Sequence, residues 1–390
     1  MRAVNFPGMR NINRSVVLDL IRRHGPISRG EIARRSQLAP SAVTNIVNDL
    51  ITLGLVREGS LAESSGGRPA VLLELVPDAF QVVGVNVGFT NIVAVLSDLR
   101  GQPLARATVP TCPDQSPEAV LQRVARAILQ AIAQFAQSTS PATAVSQLRV
   151  AGIGVGIPGL VDTRRGYSVF SPNLRWHNVP VRSILESALQ TAKHAPGPEH
   201  VPQIYIDNDV RAATLGENMF GAGDGSRNLV ALFVGSAIGA GLIVDGQLYY
   251  GANEAAGEIG HLRVTEDGPR CSCGNYGCLE AVASGRAIAR KAARLLKQGY
   301  PFTHLPQLIA SPDDVTAADV ARAAAAGDAE ALRIMQEAAL HIGVAVSFLV
   351  NTLNPERIVI GGGVSRAGEM LLEPIRKTVL THAMPVARNR

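Results

Sequence analysis

Cysteine is scarce in this chain. There are four in 390 residues, with Cys271, Cys273 and Cys278 inside eight positions and Cys112 alone. A secreted disulfide scaffold spreads an even number of cysteines along a short chain. This distribution excludes one and suits a reducing compartment with a metal site. Also missing is any apolar run near the roughly 18–20 residues a membrane-spanning helix needs. Residues 1–10 carry Arg2 and Arg10 but no apolar stretch of signal-peptide length. A soluble, cytoplasmic chain with no membrane partner is therefore expected. Charged residues are 18% of the chain against 46% hydrophobic, a balance that excludes wholesale disorder. The length implies two or three domains.

The net charge of +5 is unevenly placed. Residues 1–75 hold ten arginines and six acids, a surplus of four, which leaves +1 for the rest. A small basic module on a nearly neutral body points to a nucleic-acid partner for the module alone. Val16, Val17, Leu20 and Ile21 form an apolar stripe at helical spacing, which His24-Gly25-Pro26 ends. Ser28 with Glu31 three residues on reads as a capping box opening a second helix through Arg35. Pro40 suits the first turn of a third, which buries Val43, Ile46, Val47 and Leu50 and stops at Gly54.

The opposite face of that third helix shows Ser41, Ala42, Thr44, Asn45 and Asn48. These are short side chains of the kind that reach base edges in a major groove. Two strands follow, around 55–57 and 71–75, joined by a Gly-Gly-Arg-Pro tip that aims Arg68 at a minor groove. The order of helices and basic wing resembles the winged helix-turn-helix of bacterial repressors. Ala39 departs from it, standing where such helices carry a Ser or Thr cap.

Beyond residue 80, strand-like and helical runs alternate, as in an α/β body. The strand, glycine turn, strand and tight turn of residues 84–101 are echoed at 233–246. Such a duplication predicts two similar lobes with a cleft between them. His261 with Cys271, Cys273 and Cys278 offers one imidazole and three thiolates, a closed tetrahedral set for structural zinc. Gly274 and Gly277 let the loop fold tightly enough to bring the sulfurs together.

The run from Gly251 through His261 to Glu280 is similar to the signature of the ROK family of repressors, open reading frames and sugar kinases. Residues 152–159, Asn173 with Trp176, Asn208-Asp209 with Glu217, and 354–363 extend the likeness over nearly all of 80–390. The resemblance implies an actin-like, ribonuclease-H-like duplicated α/β body behind the winged helix. The expected boundaries are 1–78 for the DNA-binding module, 79–205 for the first lobe and 206–390 for the second. The last helix is free to pack back on the first lobe.

By the same resemblance Asn173, Asn208, Asp209, Glu258, His261 and Glu280 contact sugar hydroxyls. Carboxylates and amides suit adjacent hydroxyls, each of them both donor and acceptor. Zn2+ would take one His261 nitrogen and leave the other for the sugar. Glucose, xylose and an N-acetylated amino sugar all fit such contacts.

Resembling kinases organise magnesium and phosphate with an Asp-x-Gly-Gly-Thr-Lys turn. Here the turn reads Asn86, Gly88, Phe89, Thr90 and Asn91, and the second loop has Ala237 and Ala240 where the kinases favour glycine. The expectation is a repressor without enzymatic activity, rather than a kinase or a zinc protein whose metal loop touches nucleic acid. Its partners would be double-stranded operator DNA and a sugar effector. A half-site reader implies a homodimer or tetramer, and a phosphotransferase protein is a further candidate partner.

Overall fold

A computed structural model describes residues 6–62, 69–138, 148–191 and 201–388. The expected helical stripes close on one another in the first 75 residues. Val17 and Ile21 of α1 (Phe6–His24) and Ile32 of α2 (Arg29–Ser36) bury against Val43, Val47 and Leu50 of α3 (Pro40–Thr52). Val16 stays exposed, so the inward stripe of α1 is narrower than its sequence suggests. Ser28 Oγ caps α2 by accepting the Glu31 N–H at 3.2 Å, but the Glu31 carboxylate turns to Arg34 and Arg35 rather than back to Ser28. Ala39 provides no side-chain cap, and α3 opens on Pro40 alone. β1 (Ile27–Ser28), β2 (Val56–Leu61) and β3 (Val71–Leu75) pair in the order β1-β3-β2, the last two as an antiparallel wing.

Two compact units divide the chain, residues 1–155 with 180–205 and residues 156–179 with 206–390. In the first, the sheet runs β11 (Ile204–Asn208), β7 (Val150–Ile157), β4 (Gln81–Val87), β5 (Asn91–Ser97), β6 (Pro103–Pro110). α4 (Pro117–Ser138) covers it with buried Leu121, Val124 and Ile128, and α5 (Val181–Thr191) packs beside α4. Leu99, at the turn between β5 and β6, packs on the winged-helix core and donates its N–H to Pro77 O at 3.0 Å.

The second unit contains a small sheet of β8 (Leu160–Asp162), β9 (Tyr167–Ser171) and β10 (Trp176–Val179). α6 (Asp209–Phe220) then leads to a sheet in the order β14 (Gln247–Leu248), β13 (Ile238–Val244), β12 (Leu229–Val234), β15 (Arg357–Gly361). β12 is antiparallel to β13 and parallel to β15. The meander β12–β13–β14 repeats the turn grammar of β4–β5–β6, as the sequence echo predicts.

Residues 279–297 form two helices, α7 (Leu279–Ala283) and α8 (Gly285–Lys297). Ser284 is extended and its hydroxyl caps α8 at the Ala287 N–H, so the chain turns there. α9 (Ala317–Ala325), α10 (Ala329–Leu353), α11 (Glu369–His382) and a short α12 (Pro385–Arg388) complete the unit. α10 is long and apolar enough to cross a membrane by length and composition, yet 61% of its apolar window is buried. Ile334, Ile342 and Val346 make it the core helix of this unit.

Candidate functional site

The cluster of possible metal ligands assembles from a loop and two turns. Gly277 holds φ +69 with its Cα against Thr265 O, where a side chain would strike the backbone at 2.0 Å. Gly274 also takes a left-handed φ, as its place in the loop requires. The result brings one ligand atom from each of His261, Cys271, Cys273 and Cys278 within 4.8 Å of the others. His261 Nδ1 is 3.6 Å from Cys271 Sγ, and Cys273 Sγ is 3.7 Å from Cys278 Sγ. Metal bonds of about 2.0 Å to nitrogen and 2.3 Å to sulfur in a tetrahedron put those edges at about 3.5 and 3.8 Å. The donor set and its spacing therefore fit one tetrahedral ion. Burial and the Cys273 and Cys271 thiols push Cys278 up to about 12, a penalty on its thiolate that a dication at the centre would remove.

Beside it lies a polar cluster in the same unit. Gly257, at φ +92, seats the strap 251–261 against β13. Its oxygen accepts the Ala240 N–H at 2.9 Å, and a Cβ there would meet Ala240 O at 1.9 Å. The strap carries Glu258 and, on a 3-10 turn, His261, whose Nε2 is 3.8 Å from Glu258 Oε2. Glu280 opens α7, accepting the Ile238 N–H at 3.2 Å.

Asp209 is the first residue of α6 and is half-buried. Burial raises its carboxyl to about 6. The Val210 N–H opposes this and Glu258 adds to it, so the two acids are close enough to repel. Glu258 also sits above the ordinary carboxylate range. Desolvation is the main cause and Glu280 contributes, against His261 and Arg211, although half of its side chain stays exposed. Asp209, His261 and Glu280 thus each act on Glu258.

Asn208 also has a structural part. It, rather than Asp209, caps α6, its Oδ1 accepting from Val210 and Arg211 N–H and its Nδ2 donating to Gly159 O at 3.0 Å. That leaves one amide hydrogen for anything else. Asn173 accepts from Arg286 Nη2 at 2.7 Å, and Arg286 also donates to Ser236 O, which brings Asn173 to the turn beside Glu280. Sequence reasoning missed Arg286, and it missed Arg211, which is 3% exposed and donates to Asp207 and to Glu254 O. Neither stands in a chemically distinctive motif.

On α3, Ser41, Thr44, Asn45 and Asn48 are exposed and Ala42 is half-buried. Thr44 Oγ1 donates back to Pro40 O at 2.9 Å. Arg14, Arg22, Arg23, Arg29, Arg34, Arg35 and Arg57 each pair with an acid of the module. The basic surplus is therefore less available than the count implies, and Arg68 lies outside the described residues. Phe89 projects from the β4–β5 turn, 46% exposed. A cavity of about 690 Å³ in the second unit adjoins Gly235 and Ser236, lined largely by alanines with Arg286, Arg322 and Arg366 among its walls.

Residues 82–390 match the ROK family and residues 11–63 the MarR family. The Escherichia coli K12 regulator NagC is 34% identical over 385 residues, 98% of this chain and 88% of its own. A xylose repressor of Caldicellulosiruptor bescii is 32% identical over 96% of this chain and 89% of its own. A Thermotoga maritima glucokinase is 36% identical over 78% of this chain and 89% of its own. The crystal structure of a ROK family transcriptional regulator, a homologue of the E. coli MLC protein, superimposes with TM-score 0.78 at 30% identity, covering 97% of this chain and 90% of that one. Likeness of that extent makes this chain a member of the ROK family, with a MarR-type winged helix ahead of the family's actin-like α/β body.

Proposed function

We propose that this protein is a sugar-responsive transcriptional repressor of carbohydrate-uptake or catabolism genes. The observation that carries the reading is one chain holding both parts. α3 exposes Ser41, Thr44, Asn45 and Asn48, and Asp209, His261 and Glu280 act on Glu258 beside four residues that could hold a metal ion. In this reading Ser41, Ala42, Thr44, Asn45 and Asn48 read bases, and Arg68 reaches the minor groove. Asn173, Asn208, Asp209, Glu258, His261 and Glu280 bind sugar hydroxyls, and Asn208 also shapes the helix end on which Asp209 stands. Repressor names among full-length relatives support this. The test is operator binding by fluorescence anisotropy, after a thermal-shift screen of glucose, xylose and N-acetylglucosamine.

The ion is zinc in this reading, since three thiolates and an imidazole in a closed set are its preferred donors. When bound it fixes the loop and sets the His261 tautomer, leaving Nε2 to face the sugar. A homodimer or tetramer in the cytoplasm fits a half-site reader. Leu340, Val344 and Phe348, exposed at four-residue spacing on α10, offer it an apolar seam.

A sugar kinase is the second reading, favoured by the glucokinase relative and by the cavity beside Gly235 and Ser236. Asn86, Phe89 and Asn91 weigh against it. They leave the first turn with no carboxylate for magnesium, one glycine fewer at the phosphate and no cation.

A further inference from the structure

Glu258 lies on the strap and Asp209 on α6, so the geometry of the polar cluster depends on what ties one to the other. Arg211 does so. Its guanidinium is 3% exposed and its Nε donates to Asp207 Oδ1 at 2.7 Å, at the end of β11. Nη1 donates to Glu254 O in the strap at 2.5 Å, and Nη2 lies 3.8 Å from the Glu254 carboxylate. The Tyr250 ring is 5.0 Å from the guanidinium carbon, and the Tyr250 hydroxyl donates to Asp207 Oδ2 at 3.2 Å. A buried guanidinium is tolerated only when its surroundings satisfy it, and these groups do most of that.

The network also sets the backbone of the strap. Glu254 takes φ +60, a left-handed conformation that a side chain larger than glycine adopts only when its neighbours impose it. The neighbours here are Arg211, on the Glu254 oxygen, and Thr163. The Thr163 N–H and hydroxyl donate to the Glu254 carboxylate at 2.9 and 3.1 Å. Thr163 sits in the turn between β8 and β9, the sheet whose next turn carries Asn173. One buried cation thereby connects the elements that bear Asp209, Glu258 and Asn173.

We propose that Arg211 is the positioning residue of the effector site, fixing the strap on α6 and so setting the separation of Glu258 from Asp209. This rests on the reading of those two acids as effector ligands; Arg211 itself touches no effector. Lysine cannot replace it, because a single ammonium cannot span Asp207, the Glu254 oxygen and the Glu254 carboxylate in a planar fork.

Amide hydrogen exchange on the full chain without effector reads the strap directly. In Arg211→Lys the amides of 250–261 should exchange at least about tenfold faster, while those of 40–52 and 271–280 keep their rates. Glu254→Gln keeps the shape and loses the charge. It should give the same pattern at smaller amplitude, and it decides the matter if Arg211→Lys does not fold. By calorimetry with glucose, xylose and N-acetylglucosamine, Arg211→Lys should weaken binding of the effector about ten- to a hundredfold. In an Asp209→Asn background the same change should cost less than about threefold, since residues acting as one unit are not additive. Unchanged strap exchange in both variants overturns the proposal, as does faster exchange with full affinity or an additive double variant. A parent chain that binds none of the sugars overturns the effector reading instead, and exchange then decides separately whether Arg211 anchors the strap.

Discussion

His261 presents Nδ1 to Cys271 Sγ at 3.6 Å and Nε2 to the Glu258 carboxylate at 3.8 Å, so one imidazole ring joins the metal cluster to the polar cluster. A metal on Nδ1 fixes the remaining proton on Nε2, which then donates toward Glu258 or a ligand oxygen. Elemental analysis of the purified chain should therefore find one zinc. Cys273→Ser should lose both the metal and the sugar response while keeping operator binding, since the winged helix has its own core. A metal-free chain that still answers to sugar refutes the assignment.

The turn Asn86–Asn91, which has no carboxylate and no cation, makes a second expectation. With magnesium-ATP and each candidate sugar, phosphorylated product should stay at background in a coupled assay. Turnover within the usual enzymatic range of about 1 to 1000 per second would establish the kinase reading instead.

How much of this was legible beforehand follows from the periodicities. Val43, Ile46, Val47 and Leu50 mark α3 because an amphipathic helix over one core must repeat in that way, and the strands β4, β5 and β12 are near-continuous apolar runs. The sheet β8–β10 escaped notice because its strands are three to five residues long and mix Asp162, His177 and Asn178 with apolar positions. The break at Ser284 is not marked in the sequence because serine is tolerated within helices, and the chain turns there through the Ser284 cap on Ala287 N–H and the Gly285 N–H donating to Gly235 O. The metal ligands stand out because thiols are rare. Arg211 does not, because a buried arginine looks like any other until Asp207 and Glu254 are seen around it.

Base reading and backbone attraction should separate in the winged helix. Asn45→Ala removes an exposed amide from α3 and should cost about 1–3 kcal/mol at particular base pairs, leaving the rest of the operator profile intact. Arg68→Ala should weaken A·T-flanked sites and lower the salt slope by about one unit. Anisotropy titrations on an operator series at several salt concentrations distinguish the two. Unchanged affinity in both variants removes the functional content of the module.

Effector affinity should depend on pH through Asp209. Its folded pKa of about 6 lies above its ordinary 3.8, so ionising it works against the free fold. The stability this group contributes is present in full below about pH 4 and is lost as pH rises through 6. Sugar binding has the opposite slope, because the carboxylate is the stronger acceptor. Affinity should fall about fourfold between pH 7.5 and 5.5, the ionised fraction at the lower value being about one quarter. Calorimetry at both values checks it, with metal content measured alongside, and Asp209→Asn should flatten the dependence.

The last expectation joins DNA and sugar: effector binding should weaken operator binding, and Asp209 should be required for it. A ligand moves an equilibrium only by its differential affinity for the two states, and couplings of this kind are typically about 1–3 kcal/mol. The coupling must therefore come from contacts the sugar makes more strongly in the DNA-free form, and Asp209 is the half-buried carboxylate at the helix end where those contacts gather. Asp209→Asn keeps the shape and removes the charge, and a charge-assisted hydrogen bond exceeds a neutral one about twofold. The variant should bind operator as the parent does, because α3 and its core are untouched. It should resist release, requiring about ten times more sugar for the same loss of anisotropy. If sugar frees the Asp209→Asn chain from operator as readily as the parent, Asp209 is not an effector ligand and the site lies elsewhere.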